Sequence, residues 1–222
     1  MLRKKYNSIR IKINRIIFQK YERSCYFRIV RKGIDTKRDI LASGLEMASQ
    51  YGLEDVTIGS LAKTMQMSKS GIFGHFQSKE NLQLLIISYA VRHFTDTVIL
   101  PSLKVERGIP RIKAMIDNWI EWGDGLSGGC IFVSASNEFS GRPGPVRDAL
   151  LSYQRSWLDS LAKLADSAVK AGDFRPDIDI KQFAFELYSL ILGFHYYHRM
   201  MKDVNTKDKQ EKALNKLIKN YT

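Results

Sequence analysis

The sequence predicts an all-α chain in two parts: a small N-terminal three-helix unit containing a helix-turn-helix, and a larger C-terminal helical domain. Three observations predict it. Apolar residues recur at three- and four-residue spacing through most of the 222 residues, with no persuasive strand alternation and no internal repeat. Residues suited to helix N-caps, Thr57, Ser68 and Ser78, stand just before three apolar-periodic runs. Later in the chain, Pro101, Pro110, the glycines from Gly123 to Gly129, the run from Gly141 to Pro145, and Gly172 divide long helical segments from one another.

Ile40, Leu41, Gly44, Leu45, Ala48 and Tyr51 mark the apolar face of a first helix. Thr57 then opens a second helix of about two turns, in which Ile58, Leu61, Ala62 and Met65 share one face and Ala62 permits a close helix approach. After a turn at Gln66 and Met67, Ser68 caps a third helix. Ile72, Phe73 and Phe76 supply its inward side, while Ser68, Lys69, Ser70, Gly71 and His75 remain outside. A helix entering the major groove of DNA needs this distribution: slim residues in the first turn let the backbone approach base edges, and hydroxyls and amines bond bases or phosphates. Ser78 caps the next helix. Its free first-turn amides, reinforced by Lys79, form an anion site that suits a phosphate.

In combination these residues resemble the N-terminal domain of the TetR family of bacterial transcriptional regulators. The matching signature runs Tyr51-Gly52, Val56-Thr57-Ile58, Leu61-Ala62, Met67-Ser68, Ile72-Phe73, His75-Phe76 and Ser78-Lys79-Glu80-Asn81-Leu82. The family most often has Tyr where this chain has Phe73, so one phosphate contact through a phenolic hydroxyl is missing. The resemblance implies a DNA-binding domain over residues 35–82 and an effector-binding and dimerisation domain over 83–222. It also implies a homodimer on a palindromic operator in double-stranded DNA, acting most often as a repressor and released by a small-molecule effector; activators share the same reader. Ser68 to Phe73 would enter the major groove, with Lys69, Ser70 and Gly71 nearest the bases, while Thr57, Phe73, His75 and Lys79 would clamp the backbone.

The rest of the chain supplies the second part. A long helix from Ser78 to Leu100, stopped at Pro101, would couple the reader to the C-terminal domain. Pro110 opens a helix with Ile112, Met115, Ile116, Trp119 and Ile120 on one face, extended by Trp122. From Pro145 to Ala171 one apolar stripe holds Val146, Leu150, Tyr153, Trp157, Leu161, Leu164 and Ala168. A second holds Leu151, Leu158, Ala162, Ala165 and Val169. Together with Phe183, Leu187, Ile191 and Phe194, this surplus suggests a dimer interface that includes Tyr153, Trp157, Leu161 and Leu164. Burial within one chain is the alternative. Effector-lining candidates are Trp119, Trp122, Cys130, Phe132, Phe139, Tyr188 and His195, all equally compatible with an ordinary core.

Of the net charge of +12, residues 1–34 carry +10, from eleven Lys or Arg against the single Glu22, so the body is nearly neutral. This leader has three readings: an extension upstream of a true start at Val30, a basic DNA arm, or an amphipathic membrane-surface helix. It resembles no secretory signal, and the sequence holds no 18-residue apolar run, so a cytoplasmic address without stable membrane association is expected. Cys25 and Cys130 form no disulfide or zinc framework. Cys130 could still sense oxidants or electrophiles if a helix start lowered its pKa, or it could be a small buried residue. No catalytic motif, metal set or cofactor fingerprint is legible; His195 with His198 lacks a companion carboxylate or cysteine set in the sequence, and Gly123 to Gly129 lacks the Lys-Ser or Lys-Thr of a phosphate-binding loop.

Overall fold

The computed structural model describes residues 31–222, which hold nine helices and no strand. They are α1 (Arg31–Tyr51), α2 (Ile58–Thr64), α3 (Lys69–Phe76), α4 (Lys79–Ser102), α5 (Ile109–Asp124), α6 (Ile131–Phe139), α7 (Pro145–Ala171), α8 (Ile180–His195, with a π-helical last turn Tyr196–Met200) and α9 (Thr206–Lys219). The expectations for the leader fall on residues outside this range, apart from its last few.

The N-terminal unit is built as the apolar spacing requires. Ile40, Leu41, Leu45 and Ala48 of α1 are buried, and Leu61, Ala62, Ile72 and Phe76 close the core from α2 and α3. Gly44 lets α1 lie tightly on α4, since a Cβ there would come within 2.8 Å of Ile86 Cδ1. Two side chains depart from the expected pattern. Tyr51 is 61% exposed, because α1 ends there and the chain swings away through Gly52 at φ +100°. Phe73 is 53% exposed, because one turn of α3 is covered by Ile72 and Phe76 alone.

Helix α4 does not stop before Pro101. It continues through a π-helical turn, Thr95–Ile99, to Ser102. A proline removes one backbone donor and crowds the carbonyl four residues earlier; the wider turn relieves this, and the hydroxyls of Thr95, Thr97 and Ser102 bond back to the carbonyls of Val91, His93 and Val98 at 2.7, 2.8 and 2.6 Å. Although Arg92 and Asp96 interrupt its apolar residues, Lys79–Ser102 is by length and composition apolar enough to cross a membrane. In the fold its Leu82, Ile86, Ile87, Ala90, Val91, Phe94 and Val98 are all buried against other helices.

The C-terminal helices surround α4. Phe94 stands at the centre of an aromatic cluster, edge-on to Trp122, Phe132, Tyr153 and Trp157 at centroid distances of 5.0, 5.8, 6.0 and 5.1 Å. The residues expected at a dimer interface, Tyr153, Trp157, Leu161, Leu164, Phe183, Leu187, Ile191 and Phe194, are instead buried within the chain. They pack within the chain, Phe194 against Trp119 and Phe183 against Phe174 and Tyr221, so they belong to its own core. What α7 and α8 leave uncovered is a different set: Leu151 on α7, and on α8 Phe185, Leu192, Tyr196 and Met200, spaced for one helix face.

Because Phe94 touches four rings from three helices, Phe94→Ala is expected to cost about 3–5 kcal/mol of unfolding free energy, read by urea denaturation followed through tryptophan fluorescence.

Candidate nucleic-acid interface

The reader is assembled by three N-caps. Thr57 Oγ1 accepts the Ser60 amide at 3.0 Å while Ser60 Oγ accepts the Thr57 amide at 2.9 Å, a reciprocal box that fixes the start of α2. Ser68 Oγ accepts the Gly71 amide and Ser78 Oγ the Asn81 amide, each at 3.1 Å. Between α2 and α3 the chain reverses at Gln66, φ +54°, and the Met67 amide bonds back to Ala62 O at 2.9 Å. Ser68, Lys69, Ser70 and Phe73 are exposed on one side of α3, with Gly71 and His75 half-buried beside them. A Cβ on residue 71 would press on Ser68 Oγ at 3.1 Å, so glycine keeps both the cap and a bare backbone at this end of the helix.

Two expected backbone clamps have further partners. The Thr57 hydroxyl is engaged in its own cap. Lys79 Nζ lies 2.7 Å from Glu54 Oε1, and this bond, with lesser help from Gln83 and Arg142, holds the Glu54 carboxyl below the usual range. Lys79 remains part-exposed at the N-terminus of α4, where an incoming phosphate would compete with Glu54 for it.

The joint between reader and C-terminal domain was not anticipated. Glu138 of α6 accepts the consecutive amides of Leu53 and Glu54 at 2.9 and 2.7 Å, clamping the loop after α1. Gly52 suits this clamp: its φ is positive, and a Cβ would lie 3.2 Å from Glu138 Oε1. Across the joint, Ser127 N donates to Glu46 Oε1 at 3.0 Å, Gly128 N to Ser49 Oγ at 2.8 Å, and Ser49 Oγ to Gly129 O at 3.1 Å. The contact is backbone on backbone, since a Cβ at residue 128 would collide with Ser49 O. The glycine pair Gly128-Gly129 was the one sequence signal for so close an approach.

The seven effector candidates separate into two groups. Trp122, Phe132 and Phe139 are buried in packed core; Trp122 Nε1 donates to His93 Nδ1 at 2.8 Å, and Tyr188 is anchored by its hydroxyl to Gln154 Oε1 at 2.9 Å. The expected aromatic cavity is closed there by the stacking of Phe132 on Tyr153, 3.7 Å between centroids. Trp119, Cys130 and His195 do meet, in a recess that Ile120, Gly123, Asp124, Gly129, Phe194, His198 and Arg199 complete. The recess is shallow and partly open to solvent, with a cavity volume of about 10 Å³, room for about one water.

Cys130 sits at the N-cap of α6, as its glycine-rich approach suggested, but desolvation outweighs the favourable backbone amides of Val133 and Phe132 and pushes the thiol up to about 11. Of the two readings of Cys130, the structure therefore favours the small buried residue over the activated thiol. His195 is driven the other way. Burial first, then the positive charge of Arg199 and His198, lowers it to about 4, and its enclosed Nε2 has no hydrogen-bond partner. At the rim, burial raises Asp124, but hydrogen bonds from Lys207 and His198, both 2.9 Å, outweigh it and keep the carboxylate ionised below its usual range.

This geometry generates three expected outcomes. Gln66→Gly should raise stability by about 1 kcal/mol in thermal unfolding, by relieving a left-handed backbone. Alkylation of native Cys130 should stay slow at neutral pH and climb tenfold per pH unit up to about 11. Because the folded pKa of His195 is depressed, its contribution to stability is present above about 6.5 and lost as pH falls toward 4. Denaturation midpoints of His195→Phe should consequently fall less steeply over that window than those of the parent.

Comparison with known proteins agrees with this architecture. The model of bacterial regulatory proteins of the tetR family matches residues 40–85, and that of the tetracyclin repressor-like C-terminal domain matches residues 108–214. No curated protein matches the chain. Among solved structures, a TetR transcriptional regulator from Chloroflexus aurantiacus J-10-FL superposes with a TM-score of 0.75 at 21% identity, covering 86% of this chain and 96% of its own. A TetR family regulator from Cytophaga hutchinsonii gives 0.75 at 22% identity, with 87% and 98% covered. AibR, solved with isovaleryl coenzyme A and operator DNA, gives 0.66 at 21% identity, with 82% and 97% covered. At these identities the structures speak for the fold; with both family models matched in order along it, the chain belongs to the TetR family of transcriptional regulators.

Proposed function

We propose that the chain is a homodimeric repressor, resident in the cytoplasm, that binds a palindromic operator through α3 and is released by a small-molecule effector held in its C-terminal domain. The observation that carries the reading is the exposed side of α3, where Ser68, Lys69, Ser70 and Phe73 project from a helix fixed by caps at either end. Lys69, Ser70 and Gly71 read bases in the major groove, while Thr57, Phe73, His75 and Lys79 set the register on the backbone. The solved AibR complex with operator DNA is a precedent within the same fold.

Two-fold pairing places two readers on one duplex. The uncovered α7 and α8 face supports it: Phe185 is 64% exposed, and Leu192, Tyr196 and Leu151 extend the same apolar surface. Burial of the Cys130 thiol disfavours redox sensing as the release mechanism, and the nonspecific-binder alternative rests on the leader, outside the described residues.

Titration of the protein with fragments of its own upstream DNA across a salt series tests the reading. Saturable binding to one short inverted repeat is expected, with Lys69→Ala weakening it by about 1–3 kcal/mol and relaxing sequence preference. Binding that is uniformly weak, sequence-blind and unchanged in Lys69→Ala would refute direct readout. Phe185→Glu should convert the dimer to a monomer in sedimentation while leaving the helical circular dichroism intact.

A further inference from the structure

The loop joining α1 to α2 carries one carboxylate, Glu54, that the fold holds from three sides. Glu138 of α6 accepts the amides of Leu53 and Glu54 at 2.9 and 2.7 Å, which fixes the main chain. Gln83, a buried polar residue of α4, donates to Leu53 O at 3.0 Å and to Glu54 Oε2 at 3.3 Å, which fixes the carboxylate. Arg142, in the loop between α6 and α7, stands 3.5 Å from the same Oε2. Its own place is set by its amide, which donates to Phe139 O at 3.1 Å, and by its guanidinium, 5.8 Å from the centroid of the Phe139 ring. The other carboxylate oxygen, Oε1, takes Lys79 Nζ at 2.7 Å. One anion is thus shared between a cation of the reader and a cation of the C-terminal domain.

We propose that Arg142 sets the DNA affinity of the reader by acting through Glu54: Glu54 withholds Lys79 from the operator phosphate, and Arg142 weakens that hold by taking part of the carboxylate's charge. The proposal rests on, and deepens, the reading of Lys79 as a phosphate clamp.

Lys79 is the first residue of α4, so a phosphate at this helix start meets its ammonium only once it leaves Glu54. The freed carboxylate then stands near the phosphate with like charge. Glu54 therefore opposes binding before and after contact, and Arg142 offsets it at both stages, first as a rival partner and then as its remaining one. Each exposed pair is individually weak, which suits a device that adjusts affinity without abolishing it. Glu138 and Arg142 lie at the end of α6 and in the loop that follows. A displacement of this stretch changes the position of Glu54 and its neutralisation together, and gives a state of the C-terminal domain a route to Lys79.

The test is fluorescence anisotropy of the full chain with a labelled short duplex of random sequence and with fragments of its own upstream DNA, across a salt series. Glutamine at residue 54 keeps the side-chain shape and an acceptor for Gln83, so Glu54→Gln removes charge alone. It should tighten binding about two- to fivefold, the worth of an exposed ion pair. The fall of log K with log salt should steepen by about 0.9 for each bound chain, since Lys79 then meets the phosphate as an uncompensated cation. Arg142→Gln should weaken binding by a similar factor in the parent and leave it unchanged in the Glu54→Gln background. Lys79→Met should erase most of the gain from Glu54→Gln. Unchanged or weaker binding by Glu54→Gln, with the parent binding duplex, overturns the withholding and makes Glu54 an orienting partner of Lys79. An Arg142→Gln loss of equal size with and without Glu54 overturns control through the carboxylate and puts Arg142 on the phosphate itself. Failure of parent and Glu54→Gln alike to bind any duplex would refute the clamp reading, and the proposal with it.

Discussion

The structure depends on α4 being shared. One face of this helix, through Leu82, Ile86 and Ala90, completes the core of the reader, and further along Phe94 anchors the aromatic cluster of the C-terminal domain. A close-packed helix transmits displacement because neither end can slip without opening a void. The π-helical turn at Thr95–Ile99 lies just beyond Phe94, so the wider geometry that accommodates Pro101 is kept away from the segment that carries the reader. The coupling expected of this helix therefore has a physical basis in the burial of both halves.

A second tie runs parallel to it and is polar. Glu138 holds two amides of the loop after α1, while Ser49 and Glu46 hold the loop after α5. Three of these bonds are part-buried and the one from Ser127 to Glu46 is exposed; each is individually modest, but together they fix the angle of α1 against the C-terminal domain where apolar packing would tolerate sliding.

Charged side chains are paired at both places. Glu54 pairs with Lys79 at the reader, and at the recess Asp124 is bonded by His198 and Lys207, with Arg199 3.6 Å away. Burial acts in the opposite direction on Cys130 and His195, keeping both neutral.

The sequence by itself determined the helices and the reader. Caps at Thr57, Ser68 and Ser78, and the periodicity through Leu61, Ala62, Ile72 and Phe76, are local signals, because a cap and its amide lie three residues apart and a helix face repeats every turn. Tertiary structure decided which apolar stripe of α7 and α8 points inward. Two stripes of similar composition are indistinguishable until the neighbouring helices are placed, so Tyr153, Trp157 and Phe194 fell to the core and Leu151, Phe185 and Leu192 to the surface. It likewise decided that Cys130 begins a helix yet stays protonated, since desolvation depends on what covers the thiol. The joint through Glu138, Ser49 and Gly128, and the recess of His195 and Arg199, join residues some 70 to 85 positions apart, a distance at which pattern along the chain carries no signal.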